Sequence, residues 1–466
     1  IVAACLVYPW VFRPLALMDL ALGAILAAAV LLAAPLIILS AMNPLLVALG
    51  RAAEGPPRPS RRGAAAGRGA GGDAGAGRVF FISTLGSVAG VLATAFLLIP
   101  HLSNFRGLLL LALVLGACAA LGGALAPLPR PHRLRLAAVA GTGLAAAALL
   151  FALAPAYLGK DRDIVAGGLN FRIVAEYGSV YGNLKVVDLW EPGKPQNFIR
   201  LFLNDGLIQN RLLPEGTSFS EYTYALDRLA AAFVPQAKRA LVLGLGAGAV
   251  PRMLTARGIA VEVVEINPDM LRAIRTQVPG TVDPLPYTVH IADARSFVHG
   301  CAGGYDVIIV DLFHGDGTPD YLQTADFFRD LRRCLAPRGA VVMNTFFAVG
   351  QDAGYTPLLA TIRAAFPRLV RFTPQPGPGD FEVNSYLVAL DDAPLPEGVD
   401  LGGVIPTYQE SLAETMRRGR RVRDDEIQGV PVATDEFNIQ SVLSAPGFML
   451  YRAAVVRQLP PQLLVN

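Results

Sequence analysis

The amino-acid sequence predicts an α-helical membrane domain, then a small antiparallel β unit, then an α/β domain with a mostly parallel, seven-stranded sheet. Of the 466 residues, 53% are hydrophobic and only 17% are charged, and the long uncharged runs are confined to residues 1–158. That composition is too apolar for an ordinary soluble protein. From residue 239 onward, short apolar segments alternate with helical ones, which is typical of a parallel sheet covered on both faces.

The first domain, residues 1–158, contains four stretches that are long and apolar enough to span a bilayer, since a span needs ~20 such residues. They are 20–50, 79–100, 107–128 and 136–158. The first is either one long span or a span and a shorter piece, broken at Pro35 and Pro44. Asp19 precedes it as an isolated acid, which indicates an interfacial position rather than a transport path. Because the chain begins at Ile1 inside an apolar stretch, we expect the N-terminus to be truncated.

The loops between these stretches give a charge-based orientation. Residues 51–78 are rich in Gly, Ala, Pro and Arg and low in complexity, so we expect them to be disordered. They carry six arginines, the segment 130–135 carries three, and the segment 101–106 between them carries one. The positive-inside rule places both arginine-rich loops in the cytoplasm. Alternation would then place residue 159 onward on the opposite side.

Charge and cysteine content exclude several function classes. The net charge of +3 is small and argues against a nucleic-acid partner. The four cysteines, Cys5, Cys118, Cys301 and Cys334, are scattered and form no CxxC pair. The sequence therefore predicts no zinc or other metal site and no disulfide framework.

The second half divides into three predicted parts: a β unit at 159–215, an α/β domain at 216–392 and an irregular or helical tail at 393–466. In the β unit, Asn204-Asp205-Gly206 reads as a hairpin turn between two strand-like runs. In the α/β domain, strands are predicted at 239–246, 260–266, 287–293, 305–313 and 339–347, with a final antiparallel edge strand at 385–390. The basic stretch 414–423 of the tail is predicted to be a solvated helix, with lipid headgroups as an alternative contact.

Three glycines, Gly244, Gly246 and Gly248, end the first strand of the α/β domain and precede a helix. Such a turn allows a ligand to approach the backbone near a helix N-terminus. With Ala249, the glycines also fit the dinucleotide pattern G-x-G-x-x-[GA]. A tight turn that holds no ligand is the alternative. Glu265 ends the second strand, where a carboxylate can accept hydrogen bonds from both ribose hydroxyls.

Two further acids end the next strands. Asp293, followed by Ala294, ends the third and can accept from the exocyclic amine of adenine, and Asp311 ends the fourth. Ligands of open α/β sheets bind at the carboxyl ends of the strands, so Glu265, Asp293 and Asp311 should converge. Three acids would repel a pyrophosphate and suit a cationic sulfonium, which favours an S-adenosyl compound over NAD. Glu265 and Asp293 could alternatively serve only as helix caps.

These motifs together resemble the spermidine synthase family, the polyamine aminopropyltransferases, and most closely its bacterial branch fused to a major-facilitator-type membrane domain. The resemblance covers roughly 170–390. Asn-Asp-Gly-Leu-Ile-Gln at 204–209 resembles the family's D-G-x-x-Q and gives Gln209. The glycine turn resembles G-G-G-D-G-G, and the strand ends give Glu265 for ribose, Asp293 for adenine and Asp311 as catalytic acid. Residues 434–438, TDEFN, resemble a T-D-D-x-x-P-like segment.

The resemblance implies a Rossmann-like S-adenosyl-dependent transferase. Its co-substrate would be decarboxylated S-adenosylmethionine, or S-adenosylmethionine itself, without a metal, and its acceptor would be a small-molecule amine. It also implies a bilayer partner, a possible homo-oligomer and a multi-pass location in the bacterial cytoplasmic membrane. S-adenosyl compounds are cytosolic, so we expect the catalytic domain to face the cytoplasm, against the loop charges.

Several family positions that contact the amine or aminopropyl group differ in this chain. The Asp of the glycine loop is Ala247, and the second Asp of D-[ST]-[ST]-D is His314, with Asp316 as the next acid. The segment Y-[HQ]-E reads Tyr222-Thr223-Tyr224, and the Gln of Y-Q-D is Gly182. Tyr222, His314 and Asp316 are candidate substrate contacts. An aminopropyltransferase, another S-adenosyl-dependent transferase such as a methyltransferase, and a transporter or sensor with a non-catalytic binding domain all remain open.

Overall fold

The computed structural model describes residues 1–53, 70–127, 129–313, 317–348, 353–377, 382–392 and 394–465. The chain divides into two compact units, Ile1–Gly159 and Lys160–Val465.

The first unit is entirely helical in its described part. Its helices are α1 (Val2–Ala16), α2 (Leu20–Ser40), α3 (Met42–Ala53), α4 (Ala70–Ala93, extended by a π-helical turn at Thr94–Leu98), α5 (Asn104–Leu125), α6 (Arg130–Ala152) and α7 (Ala154–Tyr157). Four helical segments, at 21–48, 76–98, 104–125 and 130–152, are long and apolar enough to cross a membrane. They overlap the four predicted stretches, the last of them beginning and ending six residues earlier than predicted, and their side chains are largely exposed.

Three details of the first unit differ from expectation. α2 continues through Pro35, and the break between α2 and α3 falls at Ala41. Pro44 therefore lies in the first turn of α3, where the missing backbone N–H of a proline costs little. Residues 70–78, predicted to be disordered, form the start of α4, because an apolar helix already formed can extend into a weak sequence. Residues 54–69 lie outside the described part. The arginine-rich segment 130–135 is the first part of α6 rather than a loop, with a proline in its first turn.

Asp19, the isolated acid at the start of the first apolar stretch, is the N-cap of α2. Its Oδ1 accepts a hydrogen bond of 3.1 Å from the backbone N–H of Leu22. Capping satisfies one of the free N–H groups of the first turn. The position of this acid is therefore explained by its role as the cap at the start of α2.

The second unit begins with a five-stranded antiparallel sheet in sequential order. Its strands are β1 (Ile164–Ala166), β2 (Leu169–Ser179), β3 (Gly182–Trp190), β4 (Ile199–Asn204) and β5 (Leu207–Leu212). β4 and β5 are joined by Asp205 and Gly206, both with positive φ (48° and 81°). Two such residues form the turn that matches the natural twist of a hairpin, so the predicted hairpin is confirmed.

The second sheet forms the Rossmann-like part. Its elements are α8 (Glu221–Phe233), β6 (Arg239–Leu243), α9 (Ala249–Ala256), β7 (Ala260–Glu265), α10 (Pro268–Gln277), β8 (Thr288–Ile291), α11 (Ala294–His299), β9 (Tyr305–Val310), α12 (Ala325–Cys334), β10 (Leu335–Ala348), α13 (Tyr355–Arg363), β11 (Arg368–Phe372) and β12 (Glu382–Leu390). After these come α14 (Pro406–Arg417), β13 (Arg420–Arg421), α15 (Asp424–Ile427), α16 (Gln440–Gln458) and α17 (Pro461–Leu464). The strand order is β13-β11-β12-β10-β9-β6-β7-β8, and the last five of these are parallel.

The sheet is mostly parallel, as predicted, but has eight strands instead of seven. β12 is antiparallel yet interior, because β10 and β11 pair with its two sides. The added edge strand is β13, two arginines paired with β11. The basic stretch 414–423 is therefore not one helix: α14 ends at Arg417, and the chain turns at Gly419 into the edge strand. Charged side chains at an edge discourage pairing with another chain.

The C-terminal segment, predicted to be an irregular or helical tail, contains helices α14–α17 and packs into the domain. Leu463 is fully buried in the hydrophobic cluster of the five-stranded sheet. The ammonium of the buried Lys185 donates to the carbonyl oxygens of Leu463 and Val465, at 2.9 and 2.6 Å. At the other end, the Asn438 amide donates to the carbonyl of Asp320. The segment thus links the antiparallel sheet to the Rossmann-like part.

The cysteine prediction is corrected at one pair. Cys301, which follows α11, and Cys334, the last residue of α12, form a disulfide with their Cα atoms 5.7 Å apart, a usual separation for this bond. The two residues are 33 positions apart in sequence. They meet because α11 and α12 pack against each other, which no spacing motif indicates.

Candidate active site

The loops at the carboxyl ends of the parallel strands surround a cavity of about 370 Å³. Eight of the predicted site residues line it: Gln209, Tyr222, Gly244, Gly246, Glu265, Asp293, Ala294 and Asp311. The expected convergence of the three acids at one edge of the sheet is therefore observed. His314 and Asp316, the other two candidate substrate contacts, lie outside the described residues.

The glycine turn is tightly packed against the rest of the site. Gly244 has φ of 94°, and a Cβ there would lie 2.1 Å from the carbonyl oxygen of Asp311. A Cβ on Gly246 would lie 2.4 Å from Oδ1 of Asn210. The absence of side chains at these positions thus lets the turn contact the end of β9 on one side and β5 on the other.

Most N–H groups of the turn already have protein acceptors. The N–H of Gly244 donates to the carbonyl of Val264 at 2.9 Å. The N–H of Leu245 donates to the Glu265 carboxylate at 3.0 Å, and the N–H of Ala247 donates to Oδ1 of Asn210 at 2.6 Å. A pyrophosphate site needs a cluster of free N–H donors. The turn is therefore better suited to the uncharged part of a nucleoside than to a diphosphate.

Gly248 and Ala247 belong to the core instead of the cavity. A Cβ on Gly248 would face the hydroxyl of Tyr287 and the side chain of Ile274, so this side of Gly248 packs against the core. Ala247 has no exposed surface. Of the three residues compared with the family's Y-[HQ]-E, only Tyr222 lines the cavity, since Thr223 and Tyr224 are buried.

Glu265 is almost fully buried and is held by the backbone. Its Oε2 accepts from the N–H of Leu245 at 3.0 Å, and its Oε1 accepts from the N–H of Asn267 at 2.8 Å. Burial raises the pKa of this carboxyl, and the backbone donors oppose that rise. A carboxylate has about four acceptor sites, so these backbone donors leave acceptor capacity for a ligand hydroxyl. The cap of α10 is Asn267, so Glu265 is not a helix cap.

Asp293 does cap a helix while it lines the cavity. Its Oδ1 accepts from the N–H and hydroxyl of Ser296, at 2.8 and 2.9 Å, as the N-cap of α11. Its Oδ2 accepts from the Tyr321 hydroxyl at 2.9 Å. The capping alternative is therefore correct for one oxygen. The cap also fixes the direction of the second oxygen at the cavity edge.

Asp311 is held by a chain of amides. Its Oδ1 accepts from Nδ2 of Asn344 at 3.0 Å, and Oδ1 of Asn344 accepts from Nδ2 of Asn384 at 2.9 Å. Burial raises the pKa of Asp311 to about 6, although hydrogen bonds from Asn344 and Tyr222 act in the opposite direction. A carboxyl that titrates near neutral pH can exchange a proton with a ligand.

Tyr222 lies beside this carboxyl. Its hydroxyl accepts from Nδ2 of Asn210 at 2.5 Å and is 3.2 Å from the carbonyl oxygen of Gln209. That carbonyl and Asp311 compete for the single hydroxyl proton. Burial and the nearby Asp311 raise the pKa of Tyr222 well above its usual value, so the phenol stays protonated.

Sequence reasoning did not identify several residues that shape the site. Asn344 is a polar residue inside the apolar strand β10, a signal that could have been followed. Tyr451 lines the cavity from α16, more than a hundred residues beyond the last predicted site residue, and the sequence offers no signal for it. Asp435, within TDEFN, accepts from the Thr324 hydroxyl at 2.7 Å and pairs with Arg295, so this segment fixes the starts of α11 and α12.

The parallel strands, the glycine turn and the acids at the strand ends define a Rossmann-like domain with a cavity at the carboxyl edge of its sheet. A family model for the spermine/spermidine synthase domain matches residues 220–371. Residues 220–371 are therefore similar to the spermine/spermidine synthase domain.

Among similar proteins, the polyamine aminopropyltransferase of Mycobacterium tuberculosis (strain ATCC 25618 / H37Rv) is 30% identical over 300 residues, which cover 60% of this chain and 53% of that protein. An N-terminal histidine N-methyltransferase of Emericella nidulans is 28% identical over 255 residues, 48% of this chain and 44% of that protein. The chain spans about half the length of these curated relatives. The crystal structure of a probable spermidine synthase from Corynebacterium glutamicum matches with TM-score 0.46 and 20% identity over 56% of this chain and 96% of the other.

Proposed function

We propose that this protein transfers an aminopropyl group from decarboxylated S-adenosylmethionine to an amine. The observation that carries the proposal is Asp311, a buried carboxyl with a pKa of about 6 in the same cavity as Glu265 and Asp293. Glu265 would accept from the ribose hydroxyls, and Asp293 would accept from the adenine amine. Gln209, Gly244, Gly246 and Ala294 would complete the nucleoside contacts.

In the proposed reaction, the lone pair of the amine attacks the methylene carbon next to the sulfonium. The new N–C bond forms as the C–S bond breaks, and sulfur keeps the electron pair, so that methylthioadenosine leaves as a neutral thioether. Attack requires a neutral amine. Asp311 accepts the proton and holds the amine in line, and positioning and base catalysis of this kind typically accelerate a reaction by orders of magnitude.

The test is a calorimetric titration of the full chain with S-adenosylmethionine, its decarboxylated form and methylthioadenosine. Tighter binding of the decarboxylated form, with methylthioadenosine released when an amine is added, is the expected result. The variant Asp311→Asn should keep nucleoside affinity and lose turnover, which separates catalysis from folding. Binding of none of the three compounds by a folded chain would contradict the proposal.

Methyl transfer from S-adenosylmethionine is the second candidate. It is favoured by Ala247, which stands where the family has an aspartate for the aminopropyl end, and by the similarity to a histidine N-methyltransferase. Strict preference for the carboxylated donor would select it. A transporter or sensor whose domain only binds ligand is the third candidate. It would be selected if Asp311→Asn left the cellular phenotype unchanged while substitutions in the apolar helices abolished it.

We further propose that the four apolar helices anchor the protein in a bacterial cytoplasmic membrane with the nucleoside-binding domain in the cytoplasm. Their length and composition support a membrane location, and the cytosolic supply of S-adenosyl compounds supports the orientation. A reporter fused to the C-terminus should be active only in the cytoplasm, and activity only outside would contradict the orientation.

A further inference from the structure

The buried side chain of Asn210, on β5, joins two parts of the cavity that it lines. Its Oδ1 accepts from the backbone N–H of Ala247, in the glycine turn, at 2.6 Å. Its Nδ2 donates to the hydroxyl oxygen of Tyr222 at 2.5 Å. The glycine turn is on the proposed nucleoside side of the cavity, and Tyr222 lies beside Asp311. One amide group therefore connects the two sides.

The direction of each hydrogen bond through Asn210 is fixed by the groups at its two ends. A backbone N–H can only donate, so the amide oxygen must face Ala247 and the amide nitrogen must face Tyr222. The phenol oxygen then accepts, and its single proton has to point elsewhere. The carbonyl oxygen of Gln209 is 3.2 Å from the hydroxyl oxygen, which is long for an O–H donor. The other acceptor is the carboxylate of Asp311, and a bond to an ionised acceptor is stronger.

The groups that face Asp311 come from three elements: Tyr222 from α8, Asn344 from β10 and Tyr386 from β12. Burial raises the pKa of both tyrosines well above the usual value, so both stay neutral. The hydrogen bonds from Asn344 and Tyr222 favour the ionised form of Asp311. Donation from Asn210 to the phenol oxygen polarises the hydroxyl and makes it a better donor. Asn210 thus acts on Asp311 through Tyr222.

We infer that Asn210 is a positioning residue, which directs the Tyr222 hydroxyl toward Asp311 and ties that carboxylate to the glycine turn. The inference rests on the proposed function, in which Asp311 receives the proton of the amine and the turn carries the nucleoside. A single side chain then aligns the proton acceptor with the donor co-substrate.

The experiment follows the protonation of Asp311 directly in the full chain. The infrared band of its protonated carboxyl is recorded across a pH titration, and Asp311→Asn identifies the band by its loss. The wild-type midpoint is expected at a pH of about 6. Tyr222→Phe removes one donor and should raise the midpoint by roughly 1–2 pH units. Asn210→Leu should raise it by about half as much, because the hydroxyl remains but loses its direction and polarisation.

A double-mutant cycle tests whether Asn210 acts through Tyr222. In the Tyr222→Phe background, Asn210→Leu should raise the midpoint no further, because the hydroxyl that it directs is already absent. Asn210→Ala is carried through the same cycle, so that the result does not depend on how one side chain fills the space. Thermal melts establish which of these variants are folded.

The other end of the connection is tested by nucleoside affinity. Asn210→Leu should weaken methylthioadenosine binding about three- to tenfold, as expected when the Ala247 N–H loses its acceptor. Tyr222→Phe should change this affinity less than twofold. Ser220→Ala is the matched control, because the Ser220 hydroxyl accepts from the N–H of Arg211, the residue after Asn210, at 2.9 Å. Its loss affects the same strand without removing the bond to Tyr222, so the Asp311 midpoint should stay unchanged.

Three results would overturn the inference: a wild-type midpoint in folded Asn210 variants, an equal further rise in the Tyr222→Phe background, or the same rise in Ser220→Ala. Failure of the proposed function has a different signature, because the infrared titration needs no turnover. The midpoints would move as expected, yet no alkylated amine would form with either S-adenosyl donor. The positioning of Tyr222 by Asn210 would then be supported while the transfer reaction is rejected.

Discussion

Replacing Asn344 by leucine tests whether the amide beside Asp311 keeps that carboxylate ionised. Leucine has nearly the same shape but no N–H, so Asp311 loses the donor that lies 3.0 Å from its Oδ1. A hydrogen bond to a charged group contributes roughly 1.5–3 kcal/mol, and one pKa unit corresponds to about 1.4 kcal/mol. We expect Asn344→Leu to raise the pKa of Asp311 above its present value of about 6 by roughly 1–2 units.

The direction of the pH effect follows from the role of a base. A general base acts only when deprotonated, so its contribution to the rate increases as the pH rises through its pKa. With a pKa of about 6, roughly 90% of Asp311 is ionised at pH 7. After the shift, the ionised fraction is roughly 10–50%. The variant should therefore be about two- to tenfold slower at pH 7 and close to wild type at pH 9.

The assay is the ratio of variant to wild-type kcat across this pH range, at saturating donor and amine. Taking the ratio cancels the titration of the amine itself. A ratio that is constant with pH, or an ascending limb displaced to lower pH, would refute the reasoning, because both results mean that Asn344 does not favour the ionised form. Asn384→Leu is the control. Asn384 donates to Asn344, so its loss should move the profile in the same direction by less.

Three further predictions concern stability and nucleoside binding. Burial raises the pKa of Asp311 from 3.8 to about 6, so folding stability falls as the pH rises between these values. Asp311→Asn removes the ionisable group, and it should therefore recover up to about 3 kcal/mol of stability at pH 7 while activity is lost. An unchanged denaturation midpoint would contradict this prediction. Gly244→Ala should destabilise by at least roughly 2–3 kcal/mol, because its Cβ would meet a carbonyl oxygen at 2.1 Å. Gly258→Ala is the control, because Gly258 has φ of 82° and no neighbour within 4 Å, and this substitution should cost only about 1 kcal/mol. Urea titration measures both losses of stability. Equal losses would show that the contact between the added Cβ and the carbonyl oxygen is unimportant. Asp435→Ala removes the carboxylate partner of Arg295 and should weaken methylthioadenosine binding about threefold, which corresponds to the roughly 0.2–1 kcal/mol of a partly exposed ion pair. Unchanged affinity would show that this segment does not position α11.

The parallel core was predictable because its signals are local. Near-continuous apolar runs that alternate with helical segments require a sheet covered on both faces, and the strand predicted at 260–266 is observed as β7, Ala260–Glu265. The order of strands at the antiparallel side was not predictable. β12 was expected at the edge, but β11 and β13 lie beyond it. Those two strands are short and carry arginines, so they have little of the hydrophobic pattern by which a strand is recognised.

Disorder in residues 70–78 was the clearest wrong expectation in the first unit. Composition describes what a segment does alone, and its glycines and arginine indicate a weak helix former. In the chain, residues 70–78 continue directly into the apolar part of α4, which is long enough to span a membrane. Extension of an existing helix avoids the unfavourable nucleation step. The composition of residues 70–78 does not show that an apolar helix follows them.

The edge of the sheet that holds the cavity, and the acids that meet there, could be inferred from sequence alone. Glu265, Asp293 and Asp311 each end a strand, and the carboxyl ends of parallel strands necessarily lie at one edge. Topology alone therefore converts three distant positions into one cluster.

The partners and the burial of those acids become visible only in the folded domain. The Asn344–Asn384 amide pair at Asp311 and the ring of Tyr451 beside Phe346 come from strands and a helix that are remote in sequence. Their roles depend on distances of a few ångströms, on the direction of each donor and on burial, which sets the pKa of a carboxyl. None of these quantities is a property of a local segment. The sequence therefore indicates which acids meet at the cavity, while the packing of the whole domain sets their protonation and their neighbours.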